Sequence, residues 1–278
     1  MKVACIQMRS GIDRARNVET VASLVHEAAD KGAKLIATPE MTNVLDRDKK
    51  RLFSHLPTEE GLEEIETFAS MARELEITLI IGSLAVALPE EDGVKKMANR
   101  SMVFGAEGEL ARYDKMHLFD VDLPTGESWR ESRMMQGGKE AVLVKTGYVD
   151  VGLSICYDVR FPHLYRKLAQ AGAEILTVPA AFTVPTGEAH WKVLLRARAI
   201  ETGSFVLAPA QGGEHEDGRK TYGHSLIIDP WGKVIAEKDD DEPGILMADM
   251  DREMVKDART RIPSLQLEHS INVRTLPE

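Results

Sequence analysis

Hydrophobic positions recur along this chain with two periods that take turns. Residues 2–8 form a short apolar run of β character, after which Val18, Val21, Ala22, Val25 and Ala29 fall at helical spacing over residues 17–29. A second β run at 33–38 ends in Pro39-Glu40-Met41. Leu62, Ile65, Phe68, Ala69, Ala72 and Leu75 share one helical face, and residues 78–86 then read as strand. Two further runs, 100–104 and 109–113, flank Gly105-Ala-Glu-Gly108 and predict a hairpin, so the sheet is not purely parallel.

The segment 121–138 interrupts this rhythm. It is long, polar and supplied with turn residues at Pro124, Gly126, Gly137 and Gly138, the character of a lid or binding loop more than of a connection. The β runs 141–144 and 149–155 follow and lead straight into Cys156. Helical spacing over 164–171, a strand at 174–178, a helix from about 189 to 201 and a strand at 205–208 repeat the alternation. Strands at 223–228 and 233–236 are joined by Asp229-Pro-Trp-Gly232, a strong turn signal, and a strand at 244–247 and a helix at 251–261 complete the pattern. The reading is an α/β domain over residues 1–262. Residues 263–278, polar and aperiodic, form a C-terminal arm that is frayed or docked at a subunit interface.

Composition narrows the function. A chain of 278 residues that is 43% hydrophobic can bury a full core, and its net charge of -10 disfavours binding to nucleic acid or to anionic membranes, which requires clustered Lys and Arg. No apolar run suits a secretory leader or a bilayer span, so a soluble cytoplasmic protein with reduced thiols is expected. Only Cys5 and Cys156 are present, and neither has a CxxC partner. Cys5 lies inside the first β run and reads as a core residue.

Several motifs fail on context. Gly218-Arg-Lys-Thr-Tyr-Gly223-His224-Ser225 nearly spells a phosphate-binding loop, but a histidine stands at the lysine position and the segment leads into a strand. Gly152-Leu-Ser-Ile-Cys156 lacks the second glycine of a nucleophile elbow. His190 and His224 belong to no metal-binding pair.

Three residues remain with one placement in common, since Glu40, Lys115 and Cys156 each follow directly on a β run. Cys156 by itself reads first as a small buried apolar residue. Brought to one sheet edge, however, the three have complementary chemistry. A carboxylate can take a thiol proton and return it to a leaving amine, and an ammonium can lower the thiol pKa and stabilise an oxyanion.

The strings around these residues, Pro39-Glu40-Met41, Tyr113-Asp-Lys115-Met-His-Leu-Phe-Asp120 and Ser154-Ile-Cys156-Tyr-Asp-Val-Arg-Phe-Pro162, closely resemble the three catalytic signatures of the nitrilase superfamily of carbon-nitrogen hydrolases. The resemblance covers nearly the whole chain. Leu168-Ala-Gln-Ala-Gly-Ala-Glu-Ile-Leu176, Ala189-His-Trp191, Leu195-Arg-Ala-Arg-Ala-Ile-Glu201 and Tyr222-Gly-His-Ser225 with Asp229-Pro-Trp-Gly232 are similar to its Nit branch of ω-amidases and deaminated-glutathione amidases. It implies a four-layer α-β-β-α sandwich that assembles as a homodimer or larger homo-oligomer and needs no metal or organic cofactor. It further implies Glu40 as general base, Lys115 as oxyanion stabiliser, Cys156 as nucleophile and the Tyr157 backbone N–H in the oxyanion hole. A second family glutamate falls on Glu131, with Glu127 as the alternative, because both precede a serine.

The implied reaction is hydrolysis of a terminal carboxamide on a small carboxylate-bearing substrate, deaminated glutathione or a related ω-amide, through a cysteine thioester with release of ammonia. Arg160 is a candidate contact for the substrate carboxylate, or else a structural ion pair or packing contact. Phe182, Thr183 and His190, after the next strand end, either line the pocket or pack. N-carbamoyl amino acid hydrolysis, nitrile hydrolysis and acyl transfer use the same nucleophile, and a non-catalytic binding protein of the same fold is the alternative from another class.

Overall fold

Two six-stranded sheets, pressed face to face, carry the fold. The computed structural model describes residues 1–122 and 126–276; Pro124, singled out above, and the last two residues of the C-terminal arm lie outside the described residues. In chain order the first half gives β1 (Lys2–Gln7), α1 (Arg14–Asp30), β2 (Leu35–Ala37), α2 (Lys49–His55), α3 (Glu63–Glu74), β3 (Thr78–Ala87), β4 (Met97–Gly105) and β5 (Gly108–Asp114). Then come β6 (Asp120–Asp122), β7 (Ser128–Arg130), β8 (Leu143–Lys145), β9 (Asp150–Gly152), α4 (Pro162–Gln170), β10 (Ile175–Thr177) and α5 (Val184–Thr202). The chain finishes with β11 (Phe205–Ala208), β12 (Gly212–Glu214), β13 (Lys220–Tyr222), β14 (Leu226–Ile228), β15 (Val234–Glu237), β16 (Gly244–Asp249) and α6 (Glu253–Arg261).

One sheet has the order β16-β1-β2-β3-β4-β5 and the other β15-β14-β11-β10-β9-β8. Each has three parallel strands at its centre, β1-β2-β3 and β9-β10-β11, with antiparallel strands on both flanks. The layering follows from the two-residue period of a strand. Ala4, Ile6, Ile36, Leu79 and Ile81 face the helices α1 and α3, where they meet Val21, Val25, Phe68 and Ala72. The alternate positions Val3, Cys5, Leu35, Ala37 and Ile80 face the second sheet and pack with Val151, Ile175, Val206 and Ile227. Strands covered on both faces read as unbroken apolar runs, which is why the sequence pattern was strongest there. Leu164, Leu168, Trp191, Leu195 and Ala199 of α4 and α5 join the second sheet's cluster, completing the α-β-β-α sandwich.

Four features depart from the sequence pattern. The ladder of β9 ends at Gly152, so Leu153–Ile155 is buried chain outside the sheet and Cys156 opens a 3-10 turn, Cys156–Arg160. The segment 121–138 is no simple loop, because β6 and β7 pair within it as a small ribbon. Helix α5 starts at Val184, ahead of the periodic run, with Pro185 in its first turn where a missing N–H costs nothing. A second short pair, β12 with β13, and helix α2, capped by the Asp48 side chain, had no apolar period to announce them.

At Gly82 strand β3 packs tightly against the segments that leave β2 and β10. A Cβ there would stand 2.0 Å from the Thr38 carbonyl oxygen, 2.6 Å from that of Pro39 and 2.5 Å from Pro179 Cβ. Glycine thus lets β3 run against the two prolines that terminate neighbouring strand ends, and those ends carry the site. The arm after α6 forms a 3-10 turn at Ser264–Gln266, and Arg166 and Gln170 of α4 donate to its carbonyls; beyond it the residues are exposed.

Candidate active site

The ends of β2, β5, β9 and β10 converge on one edge of the sandwich, the side on which open α/β sheets place their ligands. From β2, Thr38-Pro39 delivers Glu40, which is 4% exposed. From β5, Lys115 follows at once, with its backbone N–H on the Asn99 carbonyl at 2.9 Å. From the buried chain after β9, Cys156 arrives with its N–H donated to the Pro179 carbonyl at 2.8 Å.

Lys115 is 2% exposed and spans two carboxylates. Its Nζ donates to Glu40 Oε1 at 2.8 Å and to Glu131 Oε1 and Oε2 at 3.0 and 2.9 Å. Glu40 is held further by Asn99 Nδ2 on Oε1 at 2.8 Å and by the Ala181 N–H on Oε2 at 2.9 Å. Glu131 accepts the Phe119 N–H at 2.6 Å and is reached by Asn99 Nδ2 at 3.3 Å. The structure therefore brings Glu131 to the lysine, whereas Glu127 lies on the exposed surface of the same segment.

Burial alone would raise the Glu40 carboxyl, but the Lys115 charge and hydrogen bond, a hydrogen bond from the Cys156 thiol and the charge of Arg219 hold it below the ordinary value. Burial works on Lys115 in the opposite sense and is outweighed by Glu131 and Glu40, so its ammonium is held well above the ordinary value. The Cys156 thiol is pushed well up, first by burial and then by the Glu40 carboxylate, with Lys115 offsetting only part. The lysine lowers this pKa, as the sequence led us to expect, but burial and the Glu40 carboxylate outweigh it. At rest the set is a protonated thiol beside an ionised carboxylate and an ammonium.

Cys156 has φ +50°, and Met41, next to Glu40, has φ +57°. A side chain in the left-handed region costs about 1–2 kcal/mol, so surrounding contacts must impose it. At the cysteine the main such contact is Asp158, fully buried, whose Oδ2 accepts the Ile155 N–H at 2.9 Å and the Tyr113 hydroxyl at 2.7 Å. Its Oδ1 accepts the backbone N–H of His117 at 3.1 Å and Nδ1–H at 2.7 Å. One carboxylate thus ties the segment carrying Lys115 to the turn carrying Cys156. From α5, Arg198 Nε donates to the Val159 carbonyl at 2.8 Å and closes the turn from behind.

Above these residues opens a cavity of about 780 Å³, lined among others by Glu40, Cys156, Trp129, Phe182, Thr183 and Arg219. Tyr157, Phe182 and Thr183 line this cavity. Arg160 and His190 do not. The Arg160 guanidinium lies 5.8 Å from the Tyr157 ring and 5.5 Å from the Phe182 ring, with Nη1 3.3 Å from Nδ1 of the exposed His190, and neither residue lines the cavity. Arg160 braces the aromatic wall from outside. The sequence reading missed Asn99, Trp129 and Arg219, which do line the cavity. His224 stacks on Tyr222 at 4.0 Å, away from it. Among the described residues no cluster of His, Cys, Asp or Glu is arranged to hold a metal ion, and no helix is long and apolar enough to cross a membrane.

A buried Glu-Lys-Glu set beside a thiol, at the strand ends of an α-β-β-α sandwich, defines the class. Residues 2–260 match the carbon-nitrogen hydrolase family, and the chain belongs to it. Among its relatives are the deaminated glutathione amidase of Synechocystis, 39% identical over 95% of this chain and 96% of that protein, and the human deaminated glutathione amidase, 40% identical over 95% and 81%. Among solved structures, that of the C. elegans NitFhit protein superposes with a TM-score of 0.87 at 33% identity, covering 96% of this chain; the chain spans only 64% of that longer protein.

Proposed function

We propose that this chain hydrolyses the ω-amide bond of deaminated glutathione or a close analogue through a thioester on Cys156. The observation that carries the proposal is Lys115 fixed between Glu40 and Glu131 beside the Cys156 thiol at the base of the cavity. Glu40 takes the thiol proton as sulfur attacks the amide carbonyl carbon. The oxyanion forms against the Lys115 ammonium and the Tyr157 backbone N–H. Collapse breaks the carbon–nitrogen bond while Glu40 gives its proton to the departing nitrogen, leaving an amine and a thioester. Water then attacks the thioester carbonyl as Glu40 removes its proton, the carbon–sulfur bond breaks, and the thiol is re-formed with that proton. Glu131 holds Lys115 in place and shares its charge.

The substrate class has two supports. The cavity of about 780 Å³ is far larger than a five-carbon amide requires, and the relatives named above are amidases of deaminated glutathione. In that substrate the amide nitrogen belongs to cysteinylglycine, so the dipeptide is the leaving amine; ammonia leaves only when a primary carboxamide is cut. We place the enzyme in the cytoplasm and read it as a homodimer or larger homo-oligomer; the oligomer is supported by Val193 and Ile200 of α5 and the nearby Trp231, which are 69, 52 and 56% exposed.

A panel of deaminated glutathione, a 2-oxo ω-carboxamide, an N-carbamoyl amino acid and an aliphatic nitrile, read by mass spectrometry, tests the proposal. The two ω-amides are expected to exceed the other pair by roughly 10²-fold or more in kcat/KM, since a site built for polar groups discriminates strongly. Preferential turnover of the nitrile or the carbamoyl compound would refute it.

A further inference from the structure

Besides Lys115, the cavity wall carries five cationic side chains, Arg47, Lys49, Arg130, Arg133 and Arg219, and their commitments differ. Arg130 is paired in bidentate fashion with Asp122 at 2.9 and 3.0 Å. Arg47 reaches the buried Asp217 at 3.8 Å and is nearly half exposed. Lys49 lies over the Phe53 ring and donates to the Arg133 carbonyl. Arg133 sits on the exposed rim. Arg219 reaches furthest toward the reacting groups, for its Nη2 donates at 2.7 Å to the carbonyl of Ala181, the residue whose N–H holds Glu40. Among the described residues it has no carboxylate partner, and its buried Nε has no hydrogen-bond partner at all.

The plane of Arg219 is set by Trp129, with the guanidinium carbon 4.9 Å from the ring centroid. The Trp129 indole Nε1 is likewise buried and, among the described residues, unpartnered. Two adjacent buried donors on one cavity wall, one of them charged, form an incomplete site, because buried N–H groups are normally paired. The complement is an anionic acceptor with a planar pair of oxygens, which a stacked arginine recognises in bidentate fashion.

The backbone under Arg219 is rigidly held. It sits at the turn between β12 and β13, where its N–H donates to Asp217 Oδ1 at 2.9 Å and its carbonyl accepts the His215 N–H at 2.8 Å. His215 is buried between the Ser10 carbonyl on Nδ1 at 2.8 Å and the Thr221 hydroxyl on Nε2 at 2.6 Å. Burial, with the Arg219 charge nearby, lowers its pKa to about 4, so this anchor stays neutral and its geometry does not change across the physiological pH range. The Asp217 carboxylate also accepts the Arg47 N–H at 2.8 Å, which fastens the turn to the segment after Glu40.

We infer that Arg219, oriented by Trp129, is the specificity-determining contact for a substrate carboxylate, a role for which Arg160 stands outside the cavity. This rests on the amidase reading above. Deaminated glutathione has a carboxylate at its 2-oxo acid end and another on glycine, and both present the same chemistry to a guanidinium.

Two monoesters of that substrate, each with one carboxylate masked as its methyl ester, separate the ends. The parent enzyme is expected to discriminate against the masking of the recognised end by about 10²-fold in kcat/KM, and Arg219→Gln to lose that discrimination. Loss for either monoester supports the inference and identifies the end; a variant as sensitive to both maskings as the parent overturns it. Binding is measured separately by titration calorimetry of the unmasked amide into Cys156→Ala, with and without Arg219→Gln, which needs no turnover. If the parent hydrolyses none of these amides the amidase reading fails, while an unchanged Kd in the double variant overturns the carboxylate contact and a Kd weakened about 10²-fold supports it. Should Arg219→Gln fail to fold, Arg219→Lys and Trp129→Phe carry the test. The first keeps the charge without the planar fork and the second keeps the stacking surface without the N–H, and each is expected to lose about tenfold in affinity for the unmasked amide and not for the monoester. Equal losses on both compounds would overturn the inference.

Discussion

Cys156→Ala is expected to abolish amide hydrolysis, with kcat falling about 10⁴-fold or more, while the melting temperature stays close to that of the parent. The activity half follows from the mechanism, since no thioester forms without the sulfur and neither Glu40 nor Lys115 supplies a nucleophile that takes its place. The stability half follows from the surroundings. Cys156 is 7% exposed, so removing Sγ forfeits a small buried volume, and alanine endures the same left-handed backbone at φ +50° that cysteine does. Asp158 continues to hold the turn through the Ile155 N–H and Tyr113. Hydrolysis of deaminated glutathione followed by mass spectrometry, beside a thermal melt, measures both halves; a folded variant that still cuts the amide at the parent rate excludes the sulfur as nucleophile.

Lys115→Met should lose activity and also lose stability, at about 3–5 kcal/mol near neutral pH, because it leaves two carboxylates facing each other with no charge between them. The loss falls toward the lower figure, since Glu131 keeps some water contact and Glu40 keeps its bonds from Asn99 and the Ala181 N–H. Its pH dependence has a definite sign. In the parent, Glu40 has its pKa held below the unfolded value, so it contributes stability above that value that is lost as pH falls through the folded pKa. Without Lys115 the largest remaining influence on Glu40 is burial, which raises the pKa and makes the ionised form a liability at neutral pH. The gap in melting temperature between parent and variant should therefore narrow as pH falls from 7 through about 4.5, since protonation relieves the variant's raised Glu40 above that value and the parent's depressed Glu40 loses its contribution below it. A gap that stays constant from pH 7 to pH 4 would mean that Lys115 acts through packing and not through charge.

Much of the sandwich was legible because its central strands are covered on both faces and so read as apolar runs, and because α1, α3 and α4 each bury one stripe. Periodicity reports burial and not pairing, however. Leu153 and Ile155 are as apolar as any strand, yet their N–H groups go to the Val142 carbonyl and to Asp158 Oδ2, outside the sheet's own ladder. The missing second glycine of a nucleophile elbow, whose place Cys156 takes, argued against a sharp turn there, and the turn exists nonetheless, with the cysteine itself taking the left-handed conformation. Gly187 lies inside α5, where a Cβ would stand 2.2 Å from Tyr222 Cγ, so the glycine serves packing.

The same distinction explains the site. Glu40, Lys115 and Cys156 were found because each stands just past an apolar run, where a charge or thiol is conspicuous. Asn99 lies within β4, where a polar residue normally marks the solvent face, and only the ladder shows that it points to Glu40. Trp129 and Arg219 sit on short ribbons with no hydrophobic alternation, and the glycines around Arg219 drew attention to phosphate binding. Arg160 was conspicuous for its closeness to Cys156 in sequence, but a 3-10 turn carries it to the far side of the Phe182 wall.

The central claim is that Cys156 is the reacting atom's residue, and progressive alkylation tests it most directly. The chain is treated with iodoacetamide, samples are withdrawn over time, and each is assayed for amide hydrolysis while peptide mapping gives the modified fraction of Cys156 and of Cys5. Cys5 is fully buried between the sheets and is expected to stay unmodified in the folded protein. The account predicts residual activity equal to the unmodified fraction of Cys156 at every time point; full activity retained with Cys156 fully alkylated would contradict it.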